Sequence, residues 1–546
     1  MDGAENGGGP DERHGGGLRH GGDTALTAAL RFGVETMFTL SGGHVFPLYD
    51  AAVRTGTRIV DVRHEQSAVF AAEATARLTR RAGLAVLTAG PGVTNGVSAI
   101  ATAHFNGSPL VVLGGRAPAS RWGSGALQEL DHPPLVAPIT KSAGTASGPG
   151  TLDADVTRAF DTALAPHRGP VFLDIHMDHL FAPAVPQAAR PDRPPRPAGV
   201  PPLDDLAPVL QSARRPVLVI GSGVWTDGAE HAARAFAEEV RVPVVANGQG
   251  RGVLPGGHDL LVTRARRTAF TEADLVIVAG TPLDFRLGYG VFGDARVVHL
   301  ADAPSALAAH LDATGVAGDL SAVFAALPRF KTDPDWLARL RDAVRAASAA
   351  DGPLLHSGAD PIHPLRVYGE LNRVLDDDAV VIGDGGDFVS YAGRYVEPKR
   401  PGTWLDPGPY GCLGTGLGYA MAARIARPSA QVVLLLGDGA AGLSLMDADT
   451  LVRHRLPVVI IVGNNGAWGL EKHPMRALYG YDVAADLQPG CRYDEVVRAL
   501  GGAGETVTRP ADLAGALRRA FAANVPYLVN VVTDPGIAYP RATTGV

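Results

Sequence analysis

Two apolar runs near the C-terminal end, "AQVVLLLG" and "LPVVIIVG", restrict the fold more than any other feature. Each is as long as a buried strand and shows no polar alternation, which marks a strand covered on both faces. Each also ends in residues suited to a turn, Gly437-Asp438-Gly439 and Asn464-Asn465, with a helical pattern between them. The same strand-then-helix rhythm recurs upstream, where "TRIV" leads through "SAVFAAEATARL" into "GLAVLTAG". Strands that alternate with helices in this way form parallel sheets with helices on both faces. The predicted class is α/β, with three doubly wound parallel-sheet domains.

Composition breaks place the boundaries. "APAVPQAARPDRPPRPAGVPP" is too proline-rich for a helix or a central strand and reads as a stiff linker. A polar amphipathic helix around "KTDPDWLARLRDAVRAASAADG" makes a second break. The expected division is a disordered leader at 1–20, a first domain at 21–185, a linker at 186–203 and a central domain at 204–330. A second linker at 331–360, a third domain at 361–535 and a tail at 536–546 follow.

Composition excludes several classes of function. A formal charge of −7 without a long basic run gives nucleic acid and anionic membrane no purchase. The apolar runs fall well short of the roughly 20 residues of a membrane span. Cys412 and Cys491 are the only cysteines, so no disulfide framework is implied and a cytoplasmic location is expected. The polar, glycine-rich start carries no apolar segment of a targeting signal.

Strand C-terminal ends in an open α/β sheet lie side by side, so Asp438 and Asn465 are expected at one sheet edge. A carboxylate, an amide oxygen and a nearby backbone carbonyl suit Mg²⁺, whose other positions go to water and phosphate oxygens. Gly437 and Gly439 would let a diphosphate approach the backbone beside a helix N-terminus. Far upstream, "RHEQ" puts Glu65 where a strand gives way to a helix of small residues. The helix field favours a first-turn glutamate, but a buried carboxylate there is costly unless something uses it.

These motifs, with "LRFGVETMFTLSGGHVFPLYDAA" and "TAGPGVTNG", resemble the thiamine diphosphate (ThDP) enzymes of the acetolactate synthase and decarboxylase superfamily, over nearly the whole chain. The resemblance implies pyrimidine-binding, central and diphosphate-binding domains, with ThDP and Mg²⁺ as cofactors. It assigns Glu65 to the cofactor's N1′ nitrogen, from which the 4′ nitrogen is primed to take the thiazolium C2 proton. Leu413 in "PYGCLGTGLGYAMAA" matches the apolar residue that bends the cofactor, and Gly411 a residue whose carbonyl faces the 4′ nitrogen. Gly437, Asp438, Gly439 and Ala440 form the diphosphate turn, and Ala467 joins Asp438 and Asn465 as a metal ligand through its carbonyl. In "GDGGDFVSYAGRY", Asp387 departs from the pattern, since a carboxylate beside a diphosphate repels it unless it points away.

Glu471 falls at the register of a catalytic glutamate of pyruvate decarboxylase-like enzymes, and otherwise reads as a solvated helix residue beside Lys472. His44 falls at that of an active-site histidine of benzaldehyde lyase-like enzymes, and otherwise reads as a loop histidine. Gln128 matches a pocket glutamine. The central segment, with "NGSPLVV" and "GLGYAMAA", looks closest to 2-hydroxyacyl-CoA lyases and oxalyl-CoA decarboxylases, whereas "LDFR" echoes acetolactate synthase. Pro282 and Ala301 replace nucleotide-contacting arginine and aspartate, which puts FAD and ADP in the central domain in doubt.

The leading expectation is a 2-hydroxyacyl-CoA lyase that forms formyl-CoA and a ketone or aldehyde. Its rival is an acetolactate synthase-like carboligase acting on 2-oxo acids such as pyruvate. A non-catalytic paralogue is the alternative from another class. The expected partners are a small-molecule substrate, acyl-CoA or 2-oxo acid, and further copies of the chain in a homodimer or homotetramer.

Overall fold

A computed structural model describes residues 19–184, 199 and 202–540. The expectations for the leader up to residue 18, for most of the 186–203 linker and for the tail beyond 540 therefore lie outside the described residues. The chain forms three sheets in which every strand pairing is parallel.

The first sheet contains β1 (Thr36–Thr39), β2 (Arg58–Asp61), β3 (Gly83–Leu87), β4 (Leu110–Arg116), β5 (Ser142–Thr145) and β6 (Pro170–His176) in the order β2-β1-β3-β4-β6-β5. The central sheet contains β7 (Pro216–Ile220), β8 (Val244–Ala246), β9 (Leu275–Ala279), β10 (Arg296–Ala301) and β11 (Thr314–Ala317) in the order β11-β10-β9-β7-β8. The third contains β12 (Val380–Asp384), β13 (Trp404–Leu405), β14 (Val432–Gly437), β15 (Val459–Asn464), β16 (Ala503–Val507) and β17 (Tyr527–Val532). Its order, β13-β12-β14-β15-β17-β16, repeats that of the first sheet strand for strand. In both, strand order reverses beside the first strand, and ligands bind at such a switch point beyond the strand C-termini.

Every residue of β3, β4, β12, β14 and β15 is buried, which is why these strands read as unbroken apolar runs. Along β3, Ala85 and Leu87 enter a core shared with Ile382, Leu434 and Ile460 of the third sheet. Leu84 and Val86 join a separate core on the other face. In the central sheet Val276 and Val278 pack with Trp336 and Leu340 of the Pro334–Leu355 helix. The 331–360 segment thus carries a helix seated on the central domain.

The first and third domains are joined through two helices, Glu65–Thr79 and Gly416–Ala426. Small residues bring them close: a Cβ on Gly418 would stand 2.8 Å from the Phe70 Cβ and the Ser67 carbonyl oxygen. Phe70 meets Tyr419 edge to face at 5.9 Å, and each such buried aromatic contributes roughly 1.5–3 kcal/mol. The Tyr419 hydroxyl donates to the fully buried Glu73 at 2.5 Å, and Asn106 and Ser108 donate to the same carboxylate. Among the described residues no helix is long and apolar enough to cross a membrane.

Candidate active site

The third sheet supplies one half of the site. Gly386 and Asp387 beyond β12, Asp438 directly after β14, and Asn465 and Ala467 beyond β15 line one pocket, which Leu413 and Glu471 complete. Gly437, Gly439 and Ala440, the residues expected in a diphosphate turn, line it too. Asp438 is buried, and its carboxylate accepts the Gly466 N–H at 2.7 Å and the Gly439 N–H at 3.0 Å. Burial pushes its carboxyl up to about 6 despite these donors.

No described residue forms a salt bridge with this carboxylate, and no cluster of three or more His, Cys, Asp or Glu side chains is arranged for a metal. The donors present are one carboxylate, one amide and one carbonyl, a set of hard oxygens that fits Mg²⁺ carrying water and phosphate ligands. A Cβ on Gly437 would have 3.7 Å of clearance, which leaves space for a close-lying group. Gly439 has a different reason to be glycine, since its Cβ would stand 2.4 Å from the Trp468 ring.

Leu413 lies against Gly385, where a Cβ would come within 1.9 Å of its Cδ2. Its loop is fixed by Asp384, a buried carboxylate that accepts N–H groups from Gly414 at 3.0 Å and Gly416 at 2.8 Å. Burial drives this carboxyl to about 6 as well. Gly411 lies in the same loop, exposed and with φ of 68°, outside the pocket lining. Asp387 lines the pocket, but one of its oxygens accepts the Tyr539 N–H at 2.9 Å, so part of its charge is turned to the C-terminal segment. Glu471 is exposed at the pocket edge, while its neighbour Lys472 pairs with Asp486 instead.

The first sheet supplies the other half, gathered by the Thr88–Asn95 loop beyond β3. Glu65 opens its helix behind the cap His64, is only 7% exposed, and accepts the Asn95 amide N–H at 3.0 Å. The His44 Nδ1 is 3.1 Å from the Thr88 hydroxyl, and burial lowers the imidazole's pKa, which favours the neutral ring. Gln128 abuts Gly90, where a Cβ would stand 2.9 Å from the Gln128 Cβ. Three residues from separate parts of the sequence, Glu65, His44 and Gln128, thus meet on one loop. Within the chain the first and third domains also touch through the Gln66 side chain, whose amide reaches the Leu413 carbonyl at 3.4 Å, and through the Arg63 N–H, which donates to Asp447 at 2.8 Å.

Sequence reasoning missed Asp384, Asn95 and Thr88. Thr88 and Asn95 lie inside "TAGPGVTNG", whose turn residues signalled a loop without saying which side chains it would aim at Glu65. A larger cavity of about 730 Å³ separates the central domain from the first and is lined by Pro282 and Ala301. Its Arg286 is engaged by Asp284 at 2.7 Å and its Arg168 by Asp227 at 3.0 Å. Lys141, His104 and His167 line it as well, so the space has room and cationic groups for a nucleotide, and no nucleotide enters the mechanism.

Family models for the thiamine pyrophosphate enzyme match in chain order: the N-terminal TPP binding domain at 19–135, the central domain at 203–327 and the C-terminal TPP binding domain at 384–531. The chain is 51% identical to acetolactate synthase large subunit IlvG of Mycobacterium tuberculosis, over 93% of this chain and 95% of that one. It is 34% identical to 2-hydroxyacyl-CoA lyase 2 of Caenorhabditis elegans, over 90% and 84% of the two chains. With the human protein of that name the identity is 33%, over 90% and 86%. With all three domains matched in chain order and relatives alike over most of both chains, the chain belongs to the thiamine pyrophosphate enzyme family.

Proposed function

We propose that this ThDP enzyme is an acetolactate synthase-like carboligase that joins 2-oxo acids such as pyruvate, with Mg²⁺ beside the diphosphate. The observation that carries this reading is the 51% identity to a protein named acetolactate synthase, against 33–34% to proteins named 2-hydroxyacyl-CoA lyase 2. Two of the sequence segments that favoured the lyase are packing elements. "NGSPLVV" leads into the buried β4, and "GLGYAMAA" is the buried helix that meets Phe70. Such residues answer to the fold and carry little information about the substrate.

ThDP, when bound, supplies the carbon nucleophile at its thiazolium C2. Asp438, Asn465 and the Ala467 carbonyl would hold the metal, and Leu413 would support the bent cofactor. Glu65 would present a carboxyl oxygen shielded from water, able to share a proton with the pyrimidine ring. His44 and Glu471 are further titratable groups at the two half-sites. A neutral imidazole accepts a proton, and a carboxylate oxygen is an acceptor too. Glu471→Ala and His44→Ala should each retain ThDP and lose at least about tenfold in turnover, the loss expected for one proton-transfer group. Normal turnover in both variants would remove them from the mechanism.

The same two residues support a second reading, the 2-hydroxyacyl-CoA lyase, because they match lyase and decarboxylase registers. Thioester chromatography of 2-hydroxyacyl-CoA incubated with holoenzyme separates the two. The carboligase reading expects the thioester to survive, and formation of formyl-CoA at a rate above that of pyruvate consumption overturns it.

The complete site is proposed to form between two copies of the chain. The support is apolar surface beside each half: Phe46 and Leu127 near His44 and Gln128 are 52% and 78% exposed, and Leu443 and Met446 after the diphosphate turn are both 53% exposed. A second copy would cover such side chains. Mixing inactive Glu65→Gln and Asp438→Ala subunits should then restore part of the activity through hybrid dimers. A monomer fully active at nanomolar concentration contradicts this assembly.

A further inference from the structure

The loop that gathers the first half-site is itself anchored, and the anchor has a direction. The Gly90 N–H donates to His132 Nε2 at 2.9 Å, so that nitrogen is an acceptor and the ring proton sits on Nδ1. The His132 Nδ1 lies 2.9 Å from Asp174 Oδ2, and Arg116 donates to the same oxygen at 2.8 Å. His132 and Asp174 are both fully buried, and the arginine balances the carboxylate charge. This chain fixes the start of the Pro91–Asn95 helical turn, and the last residue of that turn is Asn95. The Asn95 amide nitrogen is 3.0 Å from Glu65 Oε2.

We propose that Asn95 is a positioning residue for Glu65 and that the buried Asp174–His132–Gly90 chain holds it in place. The proposal rests on Glu65 being the cofactor-activating carboxyl. An amide N–H can only donate, so Oε2 is committed as an acceptor and a shared proton is directed to Oε1. Oε1 lies beside Gly92, which brings no side chain against it, and among the described residues the hydrogen bond to this carboxyl goes to Oε2, which leaves Oε1 for a ring nitrogen. The contact also removes rotation about the last carboxyl torsion and presents one oxygen in one orientation. Hydrogen bonds to a charged group are among the strong ones, and losing this one is expected to cost about tenfold or more in the step Glu65 serves.

The test reads cofactor activation without substrate. Holoenzyme is placed in deuterium oxide, quenched in acid, and the loss of the ThDP C2 proton is followed by nuclear magnetic resonance. Asn95→Ala should slow this exchange by about tenfold, while ThDP content after dialysis, the KM for pyruvate and the apo-protein Tm stay near wild type. Asn95→Asp has the same shape and sets a second carboxylate against Glu65, so it should slow exchange further. His132→Ala should lie between wild type and Asn95→Ala. Exchange within twofold of wild type in both Asn95 variants overturns the proposal. Loss of ThDP in step with exchange in the isosteric Asn95→Asp also overturns it, because Asn95 would then serve the fold only. If Glu65→Gln exchanges as fast as wild type, the premise about Glu65 fails instead, and the two failures are distinguishable.

Discussion

Asp438→Ala and Asn465→Ala should each leave a folded protein that loses its ThDP on dialysis. The diphosphate group of the cofactor is anionic, and nothing in the pocket offsets it except the metal and the backbone N–H groups of the turn. Asp438, Asp387 and Glu471 all line that pocket, so without a bound cation its side-chain charge is of the wrong sign. Removing one of two side-chain ligands of a hard cation removes the bridge. The same competition gives a pH dependence. Burial sets the Asp438 carboxyl at about 6 in the metal-free protein, so below that pH a proton competes with Mg²⁺ for the same oxygens. Retention at fixed Mg²⁺ should therefore fall as pH drops through about 6 and recover with excess metal. Unchanged ThDP content in either alanine variant, measured on the dialysed protein, would sink the metal assignment.

Glu65→Gln should give the second large effect, a fall in turnover of about two orders of magnitude or more with ThDP still bound. Glutamine keeps the shape of the side chain and can still accept from Asn95 through its carbonyl oxygen. It cannot share an acidic proton with a ring nitrogen. The effect should thus lie in kcat, with cofactor content and KM much less altered. Turnover within threefold of wild type would show that Glu65 is not the activator.

The third domain was far more legible in the sequence than the first. β14 and β15 are wholly buried and end side by side, so local spacing alone brings "GDG" and the second asparagine of "NN" to one pocket. The contents of the first half-site come from β1, β3 and the segment after β4, and only folding brings His44, Gln128 and Asn95 round Glu65. Asp384 was invisible for a related reason: it reads as a strand end, and its two N–H partners lie 30 and 32 residues away. The direction of the Asp387 carboxylate was not legible either, because its partner Tyr539 lies more than a hundred residues downstream. The relatives back the carboligase better than the lyase expected first, and two of the segments that favoured the lyase are buried and answer to packing.

The central claim, a ThDP carboligase acting on 2-oxo acids, is tested most directly by supplying pyruvate to purified wild-type protein with ThDP and Mg²⁺. Acetolactate is then measured as acetoin after acid treatment. The expected result is acetolactate that depends on both cofactors and is reduced about a hundredfold in Glu65→Gln. Absence of acetolactate from a ThDP-loaded protein that cleaves 2-hydroxyacyl-CoA to formyl-CoA would contradict it.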